Sequence, residues 1–312
     1  MVINTEQARP ERREAFVVAA KDTGKRLDKF LAERIPEIGR RGVKRLLADR
    51  RVQVAGRFAE KSRRLTAGQE VSVVLEPAGI VPEPTLPLTV VMENSQLVVL
   101  NKPAGQPSVP LQPGEGATLA NALMARYPEC SGVGGLRDAG FVHRLDTHTS
   151  GLLIAARDPE AFAALREIIS SGKLTKRYLA IVVGVVSEPG VIEHALLPSS
   201  RSKRRVLIAG DELGHPKRKT AYVVLEVRPG YSLLEVEVSR AYRHQIRAHL
   251  ADAGYPIVGD QIYGAGPHPA LGSRHALHAS YAAFAGDVRM GAFEAIAPLP
   301  PDLADFWASL VS

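Results

Sequence analysis

The sequence predicts an α+β protein: a large domain on a mixed, largely antiparallel sheet, preceded by a small α/β module. Three observations predict it. Strand-like and helix-like stretches do not alternate regularly over residues 90–312, as a parallel βαβ sheet would require. The segment before residue 76 carries short amphipathic repeats of its own. Prolines 77, 82, 84 and 87 stand between the two, a composition that favours an extended, semi-rigid connection. At roughly 150 residues per domain, 312 residues fit two domains.

The expected boundaries are a flexible tail over 1–24, a basic module over 25–76, a linker over 77–89 and the large domain over 90–312. In the module, Leu27, Phe30, Leu31 and Ile35 fall on one helical face. Val43, Leu46 and Leu47 repeat the pattern in a second short helix. Val52 and Val54 then alternate with polar residues ahead of a turn at Gly56, and Val71 and Val73 suggest a further strand. In the large domain, strand-like runs lie at 97–100, 152–156, 178–183, 222–227 and 233–238. Asp158-Pro159 is a helix cap followed by proline at the first helical position, with Phe162, Leu165, Ile168 and Ile169 on one face. A second helix is expected near 244–253, stopped by Gly254.

Charge is distributed unevenly. Residues 25–64 hold 14 Lys/Arg against 5 Asp/Glu, although the whole chain carries only +7. A nearly neutral body with one basic module is an electrostatic footprint for nucleic acid. The single cysteine, Cys130, excludes an internal disulfide and a zinc finger, which fits a reducing cytosol. The longest apolar run, near 178–186, is far shorter than the ~18 residues a membrane span requires. A soluble, cytoplasmic protein is expected, with a monomer as the default.

The most informative stretch is 141–156, FVHRLDTHTSGLLIAA, where two apolar runs flank a polar knot. A protein-kinase loop would read H-R-D-L, and the chain has no D-F-G. The two places around Ser150 that a G-x-S-x-G elbow fills with glycine hold His148 and Leu152. Nine histidines include no H-E-x-x-H. On these residues alone, a purely structural loop stays open, with Asp146 capping a turn and Arg144 paired to it.

HRLDTHTSGLLIAARD resembles the H-R-L-D-x-x-T-S-G signature of the RluA-type pseudouridine synthases. Further similarities follow in order: NKPAGQP at 101–107, KRYLAIV at 176–182, RHQIRAHL at 243–250, GYPIVGDQIYG at 254–264 and ALHASYAAF at 276–284. The module's RLDKFL, RRVQVAGR and LTAGQEV resemble an S-four-type (alpha-L) RNA-binding domain. There are departures. Ala55 stands where the module's turn usually has Asn, PSVP replaces a proline-flanked histidine, and Ala241-Tyr242-Arg243 replaces G-R-T.

The resemblance implies a pseudouridine synthase domain behind an RNA-binding module. The implied reaction converts uridine to pseudouridine without cofactor or metal. It implies Asp146 as the essential carboxylate, Arg247 as its partner and Tyr178 as the aromatic against the extruded base. RNA contacts are expected from Arg144 and His143 beside the site, and from Arg40, Arg41, Lys44, Arg45, Arg50 and Arg51 in the module. Large-subunit ribosomal RNA is the expected substrate. The alternatives are transfer RNA, or a non-catalytic assembly factor that kept the fold.

Overall fold

Apolar alternation and helical spacing in the basic segment become two helices and four strands. The computed structural model describes residues 12–75, 79–112, 114–200, 202, 205–209 and 214–310. The chain divides into two units: Met1–Val81 with Gln112–Gly114, and Pro82–Leu111 with Glu115–Ser312.

In the first unit, α1 (Leu27–Arg34) and α2 (Gly39–Ala48) join the strands β1 (Arg12–Val17), β2 (Val52–Val54), β3 (Arg57–Phe58) and β4 (Glu70–Leu75). The sheet order is β1-β4-β2-β3, with every pairing antiparallel. Leu27, Phe30, Leu31, Ile35, Val43 and Leu46 interlock with Val52, Val54, Val71 and Val73 in one core. The expected flexible tail needs correction. Residues 1–11 lie outside the described residues, but Arg12–Val17 pairs along the whole of β4 and Val18 is buried. Most side chains of β1 are exposed, so this edge strand gave little hydrophobic signal.

The β2–β3 hairpin turns through Ala55 and Gly56, with φ of 49° and 73°. Positive φ at both central residues is the turn whose twist matches a hairpin, and it favours Asn-Gly. Alanine gains nothing in the left-handed region, which costs a residue with a Cβ roughly 1–2 kcal/mol.

The second unit contains β5 (Val90–Glu93), β6 (Leu97–Lys102), α3 (Leu119–Arg126), β7 (Ser150–Ala156), α4 (Pro159–Ser170), β8 (Thr175–Val183), β9 (Gly190–Pro198) and β10 (Val206–Ala209). It continues with β11 (Lys217–Arg228), β12 (Tyr231–Glu237), α5 (Gln245–Asp252), β13 (Leu277–Phe284), β14 (Phe293–Ile296) and α6 (Pro301–Ser309). Ten strands form one sheet in the order β10-β9-β11-β12-β8-β13-β7-β6-β5, with β14 beside β13. Every pairing is antiparallel except β13 with β7. The fold is therefore α+β on a mixed, largely antiparallel sheet.

Helix α4 starts as its sequence dictates: the Asp158 carboxylate accepts from Ala161 N at 2.8 Å, and Pro159 follows. Its inner face is Ala161, Ala164, Leu165 and Ile168, while Phe162 and Ile169 pack only partly. That face covers Leu97, Val99, Leu152 and Ile154 of β6 and β7, which anchors β7. Its N-terminal end lies against β13, pairing Ser150 with His278 and Gly151 with Ala279. Gly151 has φ of 109°, and a Cβ there would collide with the Ala279 main chain. Only glycine permits this parallel contact, which sits where the polar knot enters the sheet. No helix among the described residues is long and apolar enough to cross a membrane.

Replacing Ala55 by Asn should stabilise the first unit by about 0.5–1 kcal/mol, because Asn tolerates the left-handed turn. Urea melts followed on that unit's transition check it; a loss of stability would contradict the turn assignment.

Candidate active site

The polar knot hangs between Val142 and the start of β7, and its main chain is fixed from several sides. Lys102, at the end of β6, has no exposed surface. Its Nζ donates to the carbonyls of Pro103 at 2.8 Å, Gln106 at 2.8 Å and Thr147 at 3.1 Å. Three carbonyls take the three ammonium protons, and Gly105 N donates to the Thr147 carbonyl as well at 2.8 Å. Burial pulls Lys102 down to about 7, and the Asp146 charge opposes that fall. On the other side, Ser108 Oγ donates to Leu145 O at 3.0 Å and accepts from Leu145 N at 3.2 Å. Ser108 is the serine of the divergent PSVP segment.

Behind the knot, Arg274 Nη2 donates to Ser150 Oγ at 2.8 Å. Ser150 meets His278 Nδ1 at 2.8 Å, and His278 Nε2 meets the Ala297 carbonyl at 3.1 Å. The carbonyl can only accept, so Nε2 carries the proton and the serine donates to Nδ1. Thr149 Oγ1 bonds His275 Nε2 at 2.8 Å. Burial holds the His275 and His278 rings down to about 3 and about 4, so both are neutral around pH 7. His143 accepts from Ile154 N at 3.3 Å and is also held neutral by burial, down to about 3. His143 therefore ties the loop to β7.

Asp146 lies two residues beyond Arg144, but the two do not pair. Its Oδ2 instead accepts from Arg247 Nη1 at 2.6 Å, across 101 positions of chain. Arg247 is buried on α5 and turns the rest of its fork to Asp260: Nε to Oδ2 at 2.7 Å and Nη2 to Oδ1 at 2.9 Å. Asp260 is fully buried and also accepts from Ile262 N at 2.9 Å and Tyr263 N at 3.2 Å. Burial alone would raise the Asp260 carboxyl, but Arg247's hydrogen bonds and charge outweigh it, and the net shift is downward. The Arg247 guanidinium also stands 5.3 Å from the Tyr263 ring centre. Among the described residues nothing hydrogen-bonds Asp146 Oδ1, and a quarter of the side chain, 26%, reaches solvent. One carboxylate oxygen is clamped and the other is open, which suits a nucleophile or a base.

Tyr178 is buried on β8, between Ala279 of β13 and Val236 of β12. Burial, and then the Asp146 charge, push its phenol well above the usual range, so it stays neutral. Arg144 is exposed, with no hydrogen bond or ion pair among the described residues. In the first unit, Arg40 and Lys44 lie one turn apart on α2 and are exposed, as is Arg50; Arg45 and Arg51 are half-buried. The side chain of Arg41 lies outside the described residues. Thus Asp146 and Arg247 meet directly, Tyr178 lies within the field of Asp146, and the module cations sit in a separate unit. Sequence reasoning assigned no role to Lys102 or Asp260, although both lie in segments it quoted.

A carboxylate clamped by a buried arginine, beside a buried tyrosine on a rigid loop, defines an acid–base or nucleophilic enzyme site. The comparisons specify the class. The family profile described as RNA pseudouridylate synthase matches residues 96–252, half of the chain. An "Uncharacterized RNA pseudouridine synthase" of Chloroflexus aurantiacus is 39% identical over 297 residues, covering 92% of this chain and 90% of that protein. "Ribosomal large subunit pseudouridine synthase D" of Yersinia pestis is 32% identical over 307 residues, covering 92% and 91%. The solved structure of "Human RNA Pseudouridylate Synthase Domain Containing 1" superposes with a TM-score of 0.56 at 26% identity, covering 72% of this chain and 89% of that one. The chain belongs to the RNA pseudouridylate synthase family, whose members are isomerases that convert uridine in RNA to pseudouridine.

Two outcomes test the site's electrostatics. Asp260→Ala leaves the inner half of the Arg247 fork unpaired in a buried place and should cost about 3–5 kcal/mol in urea melts. Buried histidines with depressed pKa values, such as His275 and His278, bind protons only when the chain unfolds. Stability should therefore be full above about pH 6.5 and fall as pH drops toward 4, by up to about 1.4 kcal/mol per pH unit for each ring. Equal melts at pH 7.5 and pH 5 would contradict the neutral assignment.

Proposed function

We propose that this isomerase acts through Asp146 on uridines of large-subunit ribosomal RNA. The observation that carries the proposal is the asymmetric carboxylate, with Oδ2 clamped by Arg247 and Oδ1 unengaged among the described residues. Pseudouridine formation breaks the N1–C1′ bond, turns the base, joins C5 to C1′ and releases the hydrogen of C5. Nothing is oxidised or reduced, and no atom is added. Attack by the carboxylate and proton removal by it both use an ionised oxygen with a free lone pair, which Oδ1 supplies.

The target base must leave its stack, at a cost of about a few kcal/mol. Tyr178 forms the wall against which the extruded base packs; such stacking contributes roughly 1–3 kcal/mol. Arg144, exposed beside Asp146, fills the vacancy left in the RNA. The first unit acts as an S-four-type RNA grip through Arg40, Lys44 and their basic neighbours. Ribosomal RNA is favoured because the Yersinia pestis relative, aligned over nearly its full length, bears a ribosomal large subunit name. The enzyme acts as a monomer in the cytoplasm, the compartment of such a substrate.

The test is tritium release from RNA labelled at uridine C5, with ribosomal and transfer RNA transcripts run side by side. Wild type should release tritium from the ribosomal transcript. Asp146→Ala should release none while binding the same RNA within about twofold. Turnover by the variant would sink the assignment of Asp146, and release from transfer RNA alone would sink the substrate. For the grip, Arg40→Gln with Lys44→Gln should reduce the slope of log affinity against log salt by roughly 1.4–1.8, the value for two phosphate contacts. An unchanged slope would place the RNA contacts elsewhere.

A further inference from the structure

Asp146 has a second neighbour, His244. We propose that His244 is a positioning residue of the isomerisation, closing onto Asp146 Oδ2 in the transition state and thereby holding Oδ1 as the reacting oxygen. The proposal rests on the reading of Asp146 given above.

His244 immediately precedes α5 and adopts φ 56° and ψ 15°, a left-handed conformation that side chains with a Cβ rarely take. Strain of this kind persists where the surroundings over-determine it, often at a working site. Here the surroundings are specific. His244 Nδ1 lies 3.0 Å from the Tyr263 hydroxyl, and the two rings meet edge-on at 5.7 Å. The Tyr263 oxygen accepts from Val206 N at 2.8 Å, which leaves its own proton to be donated to Nδ1. The remaining ring nitrogen, Nε2, then carries the hydrogen. It faces the Asp146 carboxylate, 3.6 Å from Oδ2, and a carboxylate selects that tautomer.

The ring is largely enclosed, with 10% of the side chain exposed. The charged groups facing it are Asp146, Arg247, Arg243 and Asp260. Burial lowers its pKa and the Asp146 charge opposes that, with a net fall, so the ring is a neutral donor at pH 7. Arg247 takes one lone pair of Oδ2, which leaves the oxygen capacity for a second donor. At 3.6 Å the contact is too long for a hydrogen bond. A closure of less than 1 Å would make it one, of the strong kind made to a charged acceptor. A contact completed only in the transition state raises kcat and leaves substrate binding alone. That pattern separates His244 from a residue that merely shapes the RNA groove.

The experiment measures kcat and KM for tritium release, with melting curves, for wild type, His244→Ala, His244→Gln, Tyr263→Phe, the His244→Ala/Tyr263→Phe double variant and Asp146→Ala. His244→Ala should lower kcat about tenfold or more at unchanged KM. Gln, whose side-chain amide places an N–H near the position of Nε2, should restore most of the loss. Tyr263→Phe should lower kcat less, and should add nothing on top of His244→Ala. Wild-type kcat in His244→Ala beside an inactive Asp146→Ala would overturn this inference alone; an active Asp146→Ala would overturn the parent reading. A loss that Gln does not relieve, a parallel rise in KM, or additive losses in the double variant would also overturn it. If His244→Ala melts at the assay temperature, the Gln and Phe variants decide: Gln near wild type with Phe impaired supports the inference, and the reverse order refutes it.

Discussion

The second unit is organised around one buried cation. Arg247 is fixed by Asp260 through two hydrogen bonds and holds Asp146 through a third. A charge in a low-dielectric interior requires compensation on every side, and here two carboxylates provide it. The result is directional. Arginine's planar fork lets it grip Asp260 in two places and still aim Nη1 at a single oxygen of Asp146. Asp260 is in turn held by the amides of Ile262 and Tyr263, so the loop after α5 fixes the arginine before the arginine fixes the site.

The loop carrying Asp146 is constrained independently. Lys102 and Gly105 collect the Thr147 carbonyl, Ser108 takes both main-chain groups of Leu145, and His275 and His278 hold Thr149 and Ser150. The parallel β7–β13 contact, possible because residue 151 is glycine, brings those histidines to the loop. On the role proposed for Asp146, preorganisation of this kind matters for a reaction in which base and ribose separate and rejoin, because the carboxylate must keep its place while the base turns.

Much of this was legible in the sequence where the signal is local. The amphipathic spacing from Leu27 to Leu47 gave both module helices, and Asp158-Pro159 gave the start of α4. The charged knot between apolar runs marked Asp146 as unusual before any partner was known. What stayed hidden is non-local. Nothing near Arg247 in the chain announces a pair with residue 146, and the resemblance alone supplied it. Asp260 reads as a turn residue in GYPIVGDQIYG, although it is the most buried carboxylate of the site. Lys102 reads as a surface lysine, because only the folded loop supplies its three carbonyls. Strand β1 reads as tail in the sequence because an edge strand exposes most of its side chains and so shows little period.

The fork of Arg247, and not merely its charge, aims Asp146. Arg247→Lys tests it most directly, since lysine keeps the charge but is a point donor that cannot grip two carboxylates in a fixed plane. Measured by tritium release alongside RNA affinity, the variant should bind RNA as wild type does and lose turnover by about two orders of magnitude or more. Turnover within a fewfold of wild type would show that charge alone suffices and would contradict the account.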